Sequence, residues 1–263
     1  MSDDLALVAD ADGVRTITMN RPERRNALNL ALLEALRAAF AGAAADPAVR
    51  SVVLAGAGKG FCAGADVTNW ADSVEGGGDD SGVEWERNAH ALVQEVHDLP
   101  KPTVAVLNGA AVGAGLDLAC ACDFRVAADD AIFFCAYTWV GYNPDVGGSW
   151  LYPRLMGLEA AKRFVYTGER WDAAKAMGHG LVSEVVPRDD LQAAGARLAA
   201  ELAGGPSVAI GLAKGLLQTA STRTLAEQLQ AEKEAGQVCA QTDDHREALA
   251  AFTEKRAPVF RGR

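Results

Sequence analysis

The sequence predicts an α/β fold, and three observations carry the prediction. Short β-branched runs alternate with stretches of helical period along most of the chain. Two glycine-rich turns, Gly56–Asp66 and Asn108–Gly115, each follow directly on such a run. From Leu191 to Lys255 the pattern becomes almost wholly helical, a layer added to the α/β part.

The elements follow in order. Leu5-Ala6-Leu7-Val8, a turn at Asp10-Ala11-Asp12-Gly13 and Val14–Met19 read as a hairpin, ended by Arg21-Pro22. Asn29 caps a helix over Leu30–Ala45, stopped at Asp46-Pro47. Ser51–Leu54, Thr103–Leu107, Phe124–Ala127 and Leu181–Val186 read as further strands. The stretch from Asp72 to Gly82 is too polar and glycine-rich to pack and reads as a surface loop before a helix starting near Val83. Breaks in the helical tail fall at Gly204-Gly205-Pro206 and around Thr242-Asp243-Asp244. Residues 1–190 thus form a core carrying both turns, and residues 191–263 a C-terminal helical region.

Composition narrows the function. Of 263 residues 49% are apolar, enough for a large core, and the formal net charge of −10 argues against a nucleic-acid groove or an anionic membrane surface. The five cysteines are odd in number and lie mostly in apolar runs, as expected of reduced thiols in the cytoplasm. Cys120-Ala121-Cys122 lacks a second ligand pair, so no metal site is expected. The acidic start and the lack of a long apolar run predict neither a signal peptide nor a membrane span.

The turns suggest chemistry. Small residues at two strand ends can present bare peptide N–H groups to one point, an oxyanion hole. Losing one such donor typically costs about 3–4 kcal/mol of barrier, so the pair suggests thioester or amide enolate chemistry. Gly58-Lys59 is not a phosphate loop, because Val53 and Gly60 stand where that motif needs Gly and Ser or Thr.

Asn20-Arg21-Pro22-Glu23-Arg24-Arg25-Asn26-Ala27-Leu28, Phe61–Asp66, Asn108-Gly109, Gly113-Ala114-Gly115 and Phe252–Arg256 together resemble the crotonase (enoyl-CoA hydratase/isomerase) superfamily over essentially the whole chain. The resemblance implies a spiral of ββα units with a helical C-terminal region, trimers or dimers of trimers, and an acyl-CoA thioester as substrate. Coenzyme A then arrives as part of the substrate and no separate cofactor is needed. It also implies that the N–H groups of Ala65 and Ala114 form the oxyanion hole, with Gly113 beside the substrate. Arg24 and Arg25 match the basic residues near the CoA phosphates, and Ala27, Ala63, Asp66 and Val67 the stretch around the adenine. Phe252 and Lys255 match a C-terminal pair that often reaches the CoA of a neighbouring subunit.

The two glutamates of the family's hydratases are replaced here by Asp117 and Tyr137, and a phenol with a pKa near 10 is a poor acid–base group at neutral pH. Asp145 stands where hydratases tend to have glycine. Its segment, with Gly147–Arg154 and His245-Arg246-Glu247, resembles the phenylacetate-pathway epoxide/enoyl-CoA isomerase branch. Asp145 is therefore the expected catalytic acid–base, or alternatively a helix N-cap. Four readings follow: isomerisation through Asp145, hydration by Asp117 and Asp145, hydrolytic dehalogenation of an aryl-CoA with Asp145 as nucleophile and His90 as base, and a non-catalytic CoA-binding scaffold. Tyr137, Trp139, Tyr142 and Trp70 are candidates for an aromatic-tolerant pocket.

Overall fold

A computed structural model describes residues 4–66 and 80–263. Strands β1 (Ala6–Ala11) and β2 (Val14–Met19) form the expected hairpin, but Asp12-Gly13 alone makes its turn. Asp10 and Ala11 remain in the ladder, opposite Arg15 and Val14. Helix α1 (Leu30–Ala45) starts as predicted at Asn29, whose side chain accepts from the Leu32 N–H at 3.0 Å. It buries Leu32, Leu33, Leu36 and Phe40 on one face.

Strands β3 (Ser51–Gly56) and β4 (Thr103–Leu107) come next, separated by helix α2 (Asp80–His97). Helix α2 takes the last residues of the expected loop, Asp80–Gly82; residues 72–79 lie outside the described residues. After β4 come β5 (Ala111–Val112), helix α3 (Ala114–Ala121), β6 (Phe124–Ala128) and β7 (Ile132–Phe134). Helices α4 (Gly148–Met156) and α5 (Leu158–Thr167), strand β8 (Arg170–Asp172), helix α6 (Ala173–Gly178) and strand β9 (Glu184–Val186) follow. The last strand is shorter than predicted. The backbone of Leu181 is already used, its N–H by the Ala176 carbonyl and its C=O by the buried Arg125 guanidinium at 2.7 Å.

The main sheet runs β1-β2-β3-β4-β6-β9, parallel beyond the first hairpin, and a second sheet runs β5-β7-β8. Both faces of the main sheet are covered. Val53, Ala55, Val104, Val106, Val126 and Ala128 pack on Leu191, Ala194 and Ala199 of helix α7 (Leu191–Gly204). Val52, Leu54, Ala105, Leu107 and Ala127 face the core shared with α1, α2 and α3. This two-sided burial is why the strands read as unbroken apolar runs. The tail continues as α8 (Ser207–Thr219), α9 (Leu225–Cys239) and α10 (Asp243–Glu254). A break before α9, absent from the sequence reading, is set by Thr224, which forms a reciprocal capping box with Glu227.

Because β3 and β4 are parallel neighbours, with Val53 opposite Val104, both glycine-rich turns leave the same edge of the sheet. That edge, at the carboxyl ends of the strands, is where open α/β sheets bind ligands.

Candidate active site

The two turns meet through their backbones. Val112 donates its N–H to the Cys62 carbonyl at 3.0 Å, and Cys62 donates to Ala110 at 3.0 Å. On the other flank Leu28 donates to the Gly64 carbonyl at 2.8 Å and accepts from the Asp66 N–H at 3.0 Å. Both bonds go to the neighbours of Ala65, so alternation along the strand turns the Ala65 N–H away from Leu28. Gly64 has φ +90°, and a Cβ there would stand 2.8 Å from the Val112 oxygen and 3.7 Å from the Ala114 nitrogen. Only glycine allows this approach.

Ala114 is the first residue of α3, where a helix has peptide N–H groups without internal partners and a partial positive charge. Among the described residues neither the Ala65 nor the Ala114 N–H has an acceptor. Chemically, such a pair can hold an oxygen that gains negative charge. Asn26, whose role the sequence reading missed, pins the first turn from below. It is fully buried at φ +56°, accepts from the Arg21 N–H at 2.9 Å and donates to the carbonyls of Ala57, Gly60 and Phe61 at 2.9–3.0 Å. Its only signal in the sequence is its place in the Asn20–Leu28 motif.

One turn further along α3, Asp117 is completely buried. The Tyr137 hydroxyl donates to its Oδ2 at 2.5 Å, and the Tyr152 hydroxyl donates to its Oδ1. The Gly148 backbone amide, at the start of α4, also favours the ionised carboxylate. A Cβ on Gly148 would collide with Asp117 Oδ1 and the Tyr152 ring, so glycine is what lets the helix start approach the carboxylate. Burial pushes the Asp117 pKa up to about 7 in spite of its hydroxyl donors. Burial and the nearby carboxylate push both phenols upward, so Tyr137 and Tyr152 remain protonated donors. Nothing in the sequence marks Tyr152 as Asp117's partner.

Asp145 lies two residues before the α4 N-cap, Gly147, so it does not cap that helix. Its partly buried carboxyl is held above the ordinary value by desolvation, with Glu86 adding to the rise and the Tyr137 hydroxyl and His90 opposing it. His90, on α2, sets its Nε2 2.5 Å from the backbone carbonyl of Asp145, where a protonated Nε2 donates. A cavity of about 470 Å³ opens between α2 and α4 beside Asp145, lined by His90, Val93, Gln94, Val146 and Trp150 among others. Its aromatic wall is Trp150; Trp139 and Tyr142 are largely exposed, and Trp139 packs edge-on against Phe134. Another cavity, of about 530 Å³ by Glu159, Arg163, Lys175 and His179, is lined by none of the turn residues or site carboxylates.

The expected CoA residues fall in two places. Arg24 and Arg25 are exposed on a short 3₁₀ turn, and the chain from Arg25 to Leu28 runs beside Ala63–Asp66 through the Ala63 N–H to Arg25 carbonyl bond and the Leu28 bonds. Ala27 and Ala63 are therefore brought together. Asp66 is ion-paired with Arg21 at 2.9 Å, and Arg21 also donates to the Ala27 carbonyl at 2.5 Å. Phe252, 85% exposed, and Lys255 lie at the end of α10. Val67 and Trp70 lie outside the described residues.

Parallel strands wound with helices, two turns meeting at one sheet edge and a helical C-terminal region are the architecture of the crotonase fold. A family model described as Enoyl-CoA hydratase/isomerase matches residues 9–263, and the chain belongs to that family. It is 37% identical over 251 residues to the 1,2-epoxyphenylacetyl-CoA isomerase of Escherichia coli K12, covering 95% of this chain and 96% of that one. It is 32% identical to the enoyl-CoA isomerase/hydratase fer4 of Mycosarcoma maydis, covering 97% and 95%. Among solved structures, the enoyl-CoA hydratase of Bacillus anthracis superposes with a TM-score of 0.92 at 36% identity, covering 98% and 100%. Pseudomonas aeruginosa PA4980 superposes at 0.83 with 48% identity, covering 89% and 99%. No helix among the described residues is long and apolar enough to cross a membrane.

Proposed function

We propose that the protein isomerises an acyl-CoA thioester, shifting a double bond or resolving a strained ring by way of an enolate. The N–H groups of Ala65 and Ala114 hold the thioester oxygen while negative charge develops on it. Asp145 takes a proton from one carbon and returns it to another. No separate cofactor takes part, since coenzyme A is carried by the substrate. Arg24 and Arg25 meet its phosphates, Ala27, Ala63, Asp66 and Val67 surround its adenine, and Gly113 lies against the acyl group. Phe252 and Lys255 reach a CoA bound in a neighbouring copy of a trimer or dimer of trimers.

The observation that carries this reading is the difference between the two carboxylates. Hydration in the family's usual form needs two acid–base groups on one water, but Asp117 is fully buried with both oxygens already bonded to tyrosine hydroxyls. Asp145 is partly exposed and borders the cavity, and a carboxyl held above its ordinary value by desolvation suits taking up and returning a proton. His90 hydrogen-bonds the Asp145 backbone and not its carboxylate, which weighs against the dehalogenase reading. The match to a relative named as an isomerase points the same way.

The test is product partition. Purified protein given 3-hexenoyl-CoA should form the 2-enoyl thioester, and given 2-hexenoyl-CoA it should gain little mass from water. Rapid water addition without double-bond migration would make it a hydratase using Asp117 and Asp145. Binding of CoA with no turnover of either thioester would make it a scaffold.

A further inference from the structure

Ala114 and the buried Asp117 share one face of α3, and the Asp117 N–H is bonded to the Gly113 carbonyl at 3.0 Å. Residues so spaced on a helix stand about 5–6 Å apart at Cβ, a span that one water can bridge. A carboxylate there is therefore placed to act on water beside an acyl group held at the Ala114 N–H. In the fold both of its oxygens are covered. On the Oδ1 side, Tyr152, itself fully buried, and the start of α4 at Gly148 close the approach. On the Oδ2 side stands the part-buried phenol of Tyr137, donating at 2.5 Å.

The tip of the Tyr137 ring also lies against the start of α3, since a Cβ on Gly113 would come within 3.9 Å of Tyr137 Cζ. The phenol thus fills the space between the Ala114 turn and Asp117. Its backbone is fixed independently of the ring. The Tyr137 carbonyl accepts from the Tyr142 N–H at 2.9 Å, the Phe134 carbonyl accepts from the Gly113 N–H at 2.9 Å, and the Thr138 hydroxyl donates to the Val165 carbonyl at 2.7 Å. Trimming the ring should leave the surrounding chain in place.

Resting on the isomerase reading, we propose that Tyr137 is a specificity-determining residue whose ring keeps water from Asp117, and that this exclusion confines the site to isomerisation. The hydroxyl holds the ring in place through its bond to Asp117, and the ring is the barrier. With the ring removed, water reaches Asp117 and the same pair of N–H groups supports hydration of a 2-enoyl thioester. The water oxygen bonds to the β-carbon, one water proton passes to ionised Asp117, and the C2–C3 π pair moves onto the thioester oxygen as an enolate held by Ala65 and Ala114. The enolate then takes a proton at the α-carbon from the Asp145 carboxyl, and exchange with solvent restores both aspartates. The product carries one added water, and nothing is oxidised or reduced. Burial pushes Asp117 up to about 7, which suits a base at neutral pH once water is admitted.

The experiment follows 2-hexenoyl-CoA and 3-hexenoyl-CoA by chromatography and mass in wild type, Tyr137→Phe, Tyr137→Ala and Tyr137→Ala combined with Asp117→Asn, with folding checked by circular dichroism. Tyr137→Ala should add water to 2-hexenoyl-CoA about 10²-fold faster than wild type, the low end of what a positioned base contributes. Tyr137→Phe keeps the ring and should stay close to wild type. Adding Asp117→Asn to Tyr137→Ala should remove the gain. Tyr137→Ser, whose short hydroxyl can bond the incoming water, takes the place of the alanine variant if that one does not fold.

No gain in folded Tyr137→Ala or Tyr137→Ser, an equal gain in Tyr137→Phe, or a gain that survives Asp117→Asn would overturn the proposal. Failure of wild type to isomerise 3-hexenoyl-CoA would instead refute the isomerase reading. The two failures are read on different thioesters and are therefore distinguishable.

Discussion

Burial of Asp117 should leave a measurable mark on stability. Its native pKa of about 7, against an ordinary 3.8, is a gap of about three pH units, or about 4 kcal/mol at about 1.4 kcal/mol per unit. The sign follows from proton binding. Between 3.8 and about 7 the folded protein keeps a proton that the unfolded chain has lost, so stability falls as pH rises and levels off above the native value. Asp117→Asn removes the titration and stays nearly the same shape. Urea unfolding of both proteins, followed by tryptophan fluorescence, gives a difference in stability at each pH from 5 to 8. Taking the difference cancels the other titrating groups. Relative to the variant, the wild type should lose about 3 kcal/mol over that range, from the two units between 5 and 7. A difference flat with pH would mean that the two tyrosine hydroxyls keep Asp117 ionised throughout, and the inference from its burial would fail.

Two further substitutions test the turns. Ala114→Pro removes one N–H at the first position of α3, where proline is well tolerated and where Gly113, lacking a Cβ, can precede it. Turnover should fall about 10²- to 10³-fold with little change in melting temperature, and unchanged kcat in a folded variant would remove Ala114 from the oxyanion hole. Asn26→Ala strips partners from one N–H and three carbonyls in the buried base of the first turn and leaves an alanine at φ +56°. The amide has two hydrogens to share among the three carbonyls, so three full bonds are lost; at about 1 kcal/mol each, destabilisation should be about 3 kcal/mol by thermal or urea unfolding, and a loss below about 1 kcal/mol would contradict Asn26 as the pin.

The main sheet was legible because its strands, buried on both faces, are unbroken apolar runs between turn signals. The second sheet was not, since β5, β7 and β8 are two or three residues long and carry too little periodicity to read. Asp145 stood out as a carboxylate where related hydratases tend to have glycine, and the alternative reading of it as a helix cap is excluded because Gly147 takes that place. In the Tyr137–Asp117–Tyr152 cluster only the pairing of Asp117 with Tyr137 was legible, and that through the family resemblance; Tyr152 was not. The two tyrosines are 20 and 35 residues apart from Asp117 on different elements, and only the approach of α4 to α3 at Gly148 joins them. For the same reason Asp117, a candidate partner for water in the sequence, is in the fold a sequestered anchor for two phenols.

The most direct test of Asp145 as the proton carrier is to incubate wild type and Asp145→Asn with 3-hexenoyl-CoA in D₂O and follow the thioesters by mass. Wild type should convert the 3-enoyl to the 2-enoyl thioester, with deuterium entering where the carboxyl exchanges with solvent, and Asp145→Asn should lose both conversion and exchange while still binding CoA. Conversion at the wild-type rate by folded Asp145→Asn would contradict the proposed mechanism.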